Sequence, residues 1–571
     1  MGAAFLRAGS NCNDPAAKEA LMTNHAVLFE LNSIQSWIAE SGRLRDLIGG
    51  SELIDLMTNE SAEGNLLDCV LQSCDAQQAI RFSRRSGGAF YAFCADEALL
   101  RHFEALWVLA VQHWAPGLGF SVSRGHGQSE LDAFRNARKS VDQAAARPLQ
   151  IPAAAPIAAR HRRTGAVASV LDRHDGPVDA ASARKKAFSR PDHAGFITRF
   201  SPPGVGWRDW PTNLEAGEQS MPFAGDLRTV ALIHADGNGM GQILRNLSAA
   251  AQARPDQFIG IFKGFSDTLD ASIQTAARHA AETVLLPARV RATDCLAARP
   301  IVLGGDDVTV LVRADLALAY ALAFARAFES ESRRLLQQKL AGFDVAGLPQ
   351  QLTLGIGLVY MGASQPFSMA ADLSEDLMRR AKDLAKQQAG TYAVPASSIK
   401  FHRITSSLVD DYDEVLRHEL THRGDGDGDA HVYRNVLPAY FLDDTQQPNL
   451  GDLLSLQHLL GDEDMARGPT RQLLTLVGLA PADARMRYRR WRQLMQDNKR
   501  ETLQRFDEWV CKLLGCNVDR IKDLPYGPPD REHLRHSPLG DVLALHGAGN
   551  DTRCCAIADS DQSATALEAA V

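Results

Sequence analysis

The twelve residues IVLGGDDVTVLV, 301–312, decide how the chain is read. An apolar run stops at Gly304-Gly305, presents adjacent carboxylates at Asp306 and Asp307, and resumes as apolar alternation. Apolar runs of this length on either side of a glycine-containing turn predict a β-hairpin. Two like charges at a hairpin tip repel each other, so a fold that keeps them needs a cation nearby.

Outward from the hairpin, RTVALIHAD (228–236) is a β-rich run ending in Asp236, and DQFIGIFKGFSDTLDASIQTAARHAAETV (256–284) is helix-forming. Downstream come a helix over 314–340, the strand QQLTLGIGLVYM (350–361) and the helix SMAADLSEDLMRRAKDLAKQ (368–387). The order β-α-β-β-α-β followed by a helix is the ferredoxin-like plan. The same plan repeats near the N-terminus. HAVLFELN (25–32) is a strand, 36–57 a helix, and AIRFSRRSGG with AFYAFCAD a hairpin around Gly87-Gly88. A helix (97–115), the strand LGFSVSRG (118–125) and a helix (129–146) complete it. In this copy Ala89-Phe90 take the place of the two aspartates, and Asn32 stands for Asp236. The expected class is α+β: two ferredoxin-like palm units and a helical C-terminal part. The division is a first palm over 24–145, a basic linker or small inserted region over 146–227, and a second palm over 228–403. A helical domain over 404–546 and a disordered tail over 547–571 follow.

The segment 146–163 is rich in Ala and Pro and leads into Arg160, Arg162, Arg163, Arg184, Lys185, Lys186 and Arg190. It reads as a solvated linker, with an RNA or subunit contact as the alternative. A net charge of −8 over 571 residues argues against general nucleic-acid coating. The nine cysteines form no CxxC pairs, which reads as reduced thiols rather than a zinc site. With no secretory h-region and no uncharged run approaching ~18 apolar residues, a cytoplasmic protein without a membrane span is expected.

Asp236 ends the strand beside the hairpin, so Asp236, Asp306 and Asp307 are expected to converge. Three carboxylates suit two magnesium or manganese ions, the arrangement for nucleotidyl transfer. Gly304 and Gly305 would let a nucleotide approach the backbone. In DGNGMG (236–241), Gly237 and Asn238 turn strand into helix, where backbone N–H groups can face phosphate. His418-Glu-Leu-Thr-His422 matches HExxH but lacks a third ligand and reads as a solvated amphipathic helix. GDGDGDA (424–430) lacks the calcium-loop Gly and Glu and reads as an acidic loop.

IHADGNGMG, LGGDDVTVLV and LTLGIGLVYMGASQPFSMAADLSEDLMRRAK together resemble the second palm of Cas10-type proteins (Csm1, Cmr2) of type III CRISPR systems. FELNSIQSWIAESGRLRDLIGGSELI resembles their first palm, and the resemblance spans roughly 24–403. More distantly, the second palm is similar to GGDEF diguanylate cyclases and class III nucleotide cyclases. The resemblance implies cyclic oligoadenylate synthesis from ATP in antiviral defence, with Mg²⁺ or Mn²⁺ (two ions) as cofactor. Asp236, Asp306 and Asp307 would be the catalytic and metal-holding residues. Gly304 and Gly305 would form the nucleotide-facing turn, Lys382 would bind triphosphate, and Ser51 would border a second nucleotide pocket. CRISPR-type protein subunits and guide or target RNA are the implied partners, and a homo-oligomer stays open. The first palm is read as beginning about residue 25, so the family's HD nuclease domain is not expected here. No cysteine lies between Cys94 and Cys295 for its zinc cluster. Two alternatives remain: a non-catalytic scaffold or nucleotide-sensing subunit, and a GGDEF-like cyclic dinucleotide synthase.

Overall fold

The computed structural model describes residues 23–60, 62, 64–141, 155–223, 228–291, 293–390, 394–405, 411–423, 432–461, 467–530 and 533–549. The chain opens with β1 (Asn24–Asn32), α1 (Ile34–Ala39), α2 (Leu44–Thr58), α3 (Leu66–Ser73), β2 (Arg81–Ser86) and β3 (Ala89–Cys94). It continues with α4 (Glu97–Trp114), β4 (Gly119–Gly127) and α5 (Glu130–Val141). The four strands form an antiparallel sheet in the order β2-β3-β1-β4. Alternating apolar residues of β1 and β3 meet α4 in an aromatic core: Phe29 stacks on Phe90 at 5.3 Å, and Trp107 sits edge-on to both at 5.1 Å.

After β5 (Ala168–Asp172), β6 (Gly176–Asp179), α6 (Ala180–Phe188) and α7 (Gly195–Phe200), the plan recurs. Its elements are β7 (Thr229–Gly237), α8 (Met240–Ala253), α9 (Phe258–Ala280), β8 (Ala298–Gly304), β9 (Asp307–Arg313), α10 (Ala314–Lys339), β10 (Leu354–Gly362) and α11 (Phe367–Ala389). The strand order β8-β9-β7-β10 repeats that of the first sheet, and β11 (Ser398–Arg403) extends it, parallel to β10. The glycines of LGIGL explain how α11 lies so close: a Cβ at Gly357 would run into the Ser374 carbonyl, and one at Gly355 into the Lys382 stem. Two ferredoxin-like palm domains and a helical C-terminal part make this an α+β protein.

Three expectations need correction. The helix expected over 36–57 is broken at Gly42, whose φ of +68° ends α1 and redirects the chain into α2. The basic segment is folded rather than a linker where it is described: Arg160, Arg162, Arg163 and Arg190 are exposed as expected, but Lys185 has no exposed surface, and Phe196, Ile197, Phe200 and Trp210 just after it are buried. Its ammonium donates to the Trp37 carbonyl at the end of α1 and lies 4.1 Å from the Trp37 ring centre. A long apolar stem and a cation over an aromatic face make that burial tolerable. Burial lowers its pKa to about 8.

The third correction concerns HExxH. A short helix, α12 (Tyr412–Val415), runs on through one wide turn to Leu420, and the chain then extends as β12 (Thr421–Arg423). His418 and His422 therefore do not share a helix face. β12 pairs with β13 (Val432–Arg434), which pairs with β14 (Leu534–His536), so the helical C-terminal part also holds a small sheet. The GDGDGDA loop, residues 146–154 and residues 550–571 lie outside the described residues. No described helix is long and apolar enough to cross a membrane.

Candidate active site

The strand register builds the site. Asp236, near the end of β7, pairs with Asp307 on one side and Gly355 on the other. β8 and β9 are closed by the turn Gly305-Asp306, with Gly304 paired to Asp307. Gly305 has φ of +66°, which side chains other than glycine's rarely adopt. The Gly237 N–H donates to the Asp306 carbonyl at 3.2 Å and ties the tip to β7. Asp236, Asp306 and Asp307 thus meet at one end of the second sheet.

Asp236 and Asp307 are each held by a protein partner. Lys382, on α11, ion-pairs with Asp236 and donates to the Gly237 carbonyl at 2.8 Å. Gln35, on α1 of the first palm, donates its amide to both oxygens of Asp307, at 2.9 Å each, and lies 3.1 Å from His234 Nδ1. Arg84, on β2, reaches Gly305, where an added Cβ would sit 3.3 Å from its Nη2. Burial, with the charge of Asp236, pushes Asp306 up to about 6 against the pull of Arg84. Asp307 keeps 34% of its side chain exposed, yet burial of its carboxyl end pushes it up to about 7, opposed by Gln35 and reinforced by Asp306. Burial holds His234 down near 4, so its imidazole is neutral.

A solvent-open cleft of about 720 Å³ lies between the palms, lined by Ile34, Ser51, Arg84, Gly304, Asp306 and Asp307 among others. The two Gly-Gly hairpins touch tip to tip: a Cβ on Gly87 would lie 3.1 Å from the Gly305 nitrogen. Of the residues singled out in the sequence, Asp236, Gly237, Gly304, Gly305, Asp306, Asp307 and Lys382 come together here. Two serve the fold in this conformation. Asn238 is buried, its amide donating to Thr353 Oγ1 and the Ala396 carbonyl, both at 3.2 Å. Ser51 reaches the cleft wall, but its hydroxyl lies between the Leu47 and Ile301 carbonyls.

The first palm aligns one residue away from the glycine match. Glu30 pairs with Ala89, and the Leu31 N–H donates to the Gly88 carbonyl at 3.1 Å, just as Gly237 does to Asp306. Glu30, not Asn32, therefore stands where Asp236 does, and Gly88-Ala89, not Ala89-Phe90, stand for the aspartates. Asn32 instead donates to Ser121 Oγ at 2.9 Å.

Sequence reasoning missed Gln35, Arg84 and His234. His234 was findable, two residues before Asp236 and so on the same strand face. Gln35 and Arg84 arrive from the other palm, and no spacing announces them. Carboxylate oxygens suit a hard divalent cation. Among the described residues, however, no group of three or more His, Cys, Asp or Glu side chains is gathered at ligand distance. Lys382 and Gln35 hold Asp236 and Asp307 instead, and Arg84 acts on Asp306 through its charge.

Residues 229–390 match the family model described as Cas10/Cmr2, second palm domain. No curated protein matches the sequence. Among solved structures, a Csm1–Csm4 cassette in complex with cA3 is similar at 12% identity, covering 95% of this chain and 71% of that one, with a TM-score of 0.45. Csm1 from T. onnurineus is similar at 13% identity over 93% and 70% of the two chains, with a TM-score of 0.43. Likenesses this distant carry no argument about chemistry. The family assignment stands on the matched segment and its geometry: this chain carries the second palm domain of the Cas10/Cmr2 family.

Proposed function

We propose that the chain is a nucleotidyltransferase that makes a cyclic oligoadenylate from ATP, in a type III CRISPR-like defence. The observation that carries this reading is the meeting of Asp236 with Asp306 and Asp307, the latter two lining an inter-palm cleft. The 3′-hydroxyl oxygen of one ATP attacks the α-phosphorus of another, the bond to pyrophosphate breaks, and repetition with ring closure gives the product. Asp236, Asp306 and Asp307 would hold two magnesium or manganese ions, which lower the pKa of an attacking hydroxyl and stabilise departing pyrophosphate. Lys382 would turn from Asp236 to the triphosphate, and Gly304-Gly305 would admit the nucleotide to the backbone. The choice of ATP, and of CRISPR-type subunits and RNA as partners, follows the family. The domain division given above belongs to the same reading.

One observation favours a second reading, the scaffold or nucleotide sensor: two of the three carboxylates, Asp236 and Asp307, are already held by a protein partner. One experiment separates the two. The purified chain is incubated with each NTP and Mg²⁺ or Mn²⁺, with and without co-purifying RNA, and products are resolved by mass spectrometry. A cyclic adenylate is expected, and Asp306→Ala with Asp307→Ala should reduce it by at least about a thousandfold, since such chemistry rests on positioning and electrostatics. Nucleotide binding without any product would favour the scaffold.

A further inference from the structure

The three carboxylates are not held alike. Asp236 has an ion-pair partner from its own palm, Lys382, whereas Arg84 of the first palm reaches the neighbouring Gly305 and acts on Asp306 through its charge. Asp307 is held by a neutral group, the Gln35 amide. Equal distances of 2.9 Å to both oxygens put that nitrogen on the bisector of the carboxylate. A bidentate cation would take the same seat. An amide brings hydrogen bonds there but no charge, so a divalent ion has a large Coulombic advantage once the amide has left.

The helix carrying Gln35 packs Trp37 and Ile38 into the core and leaves Gln35 half-buried beside the site. α1 has only six residues, and it lies between Ser33, held at φ of +52°, and the Gly42 turn. Its far end is fastened to the inserted region, where Lys185 holds the Trp37 carbonyl. Gln35 itself is partly exposed and contributes nothing to the hydrophobic core.

We infer that Gln35 is a gate: the first palm uses it to occupy the cation seat on Asp307, and it must withdraw before a divalent ion can bind there. The inference rests on the nucleotidyltransferase reading and gives the first palm, which lacks the tip acids, a regulatory part in the second palm's site. Displacement of α1 relative to β9 then opens the carboxylate, and the inserted region that grips α1 is positioned to transmit it.

The test measures Mn²⁺ binding to the full chain by electron paramagnetic resonance, without nucleotide. Wild type is compared with Gln35→Ala, with Gln35→Met, which keeps the volume and removes the donor, and with the Asp306→Ala/Asp307→Ala variant. Melting curves establish that each is folded. Releasing a hydrogen-bonded carboxylate should tighten Mn²⁺ binding about tenfold in both Gln35 variants, while the double alanine loses the site. Binding that is unchanged or weaker in the Gln35 variants, with the double alanine still losing it, overturns the gate and leaves the carboxylate site standing. Binding that survives the double alanine overturns the gate and the two-metal reading together.

Discussion

The two palms share a backbone plan and a bonding pattern, and they part at the hairpin tip. In each, the tip is tied to the first strand by one N–H, from Leu31 to Gly88 and from Gly237 to Asp306. In each, an acid near the end of the first strand meets a cation from the last helix, Glu30 with Arg138 and Asp236 with Lys382. Burial would raise Glu30, yet the Tyr91 hydroxyl and Arg138 hold it below the usual carboxylate range. Asp306 and Asp307 are pushed the other way, to about 6 and about 7. The acid–cation pair is therefore compatible with a purely structural role in either copy. Of these matched acids at the two hairpin ends, only Asp306 and Asp307 place charge where the fold itself opposes it.

The largest expected effect after loss of both tip acids comes from their strand neighbour. Asp236→Asn should lower product formation by at least about a hundredfold, the scale of removing one electrostatic group from such a site. Glu30→Gln, at the matching place in the first palm, should leave the rate within a few-fold. Product time courses for the two variants check this, and equal losses would break the distinction between the palms.

A smaller effect tests whether the palms meet as described. Gly87→Ala adds a Cβ 3.1 Å from the Gly305 nitrogen, at a φ of +61°. It should cost about 1–2 kcal/mol from backbone conformation alone, with a further loss from the tip-to-tip clash, read from denaturant unfolding. A loss no larger than that backbone cost would mean the two tips do not touch.

The subtlest effect is the pH dependence of stability. Asp306 and Asp307 ionise less readily in the folded chain than at the ordinary value, so stability present while they are protonated is lost as pH rises through about 6 and about 7. Asp306→Asn with Asp307→Asn removes that loss, so its melting temperature should exceed wild type at pH 8 and not at pH 4. Glu30 is lowered, so its stabilisation is present above the ordinary value and lost as pH falls. Glu30→Gln should therefore melt below wild type at pH 8. Parallel melting-temperature profiles for the two variants would contradict the contrast.

The repeated β-α-β-β-α-β order, the hairpin at 301–312 and the meeting of Asp236 with Asp306 and Asp307 were legible in the sequence. They rest on local rules: apolar periodicity, glycine at the turn, and a strand order that the ferredoxin-like plan dictates. The same rules misaligned the first palm, by one residue at the hairpin and two on the strand, because two glycines look alike in a string while only the ladder shows which ones form the turn. They also left Lys185 in solvent, since nothing in a run of basic residues tells that one of them will find a helix-end carbonyl and the Trp37 ring. Gln35 and Arg84 belong wholly to the tertiary structure. Both lie in the first palm, more than 200 residues from the hairpin tip they reach. Residues this far apart in the chain become neighbours only when two separately folded sheets pack against each other, and a local pattern carries no record of that packing.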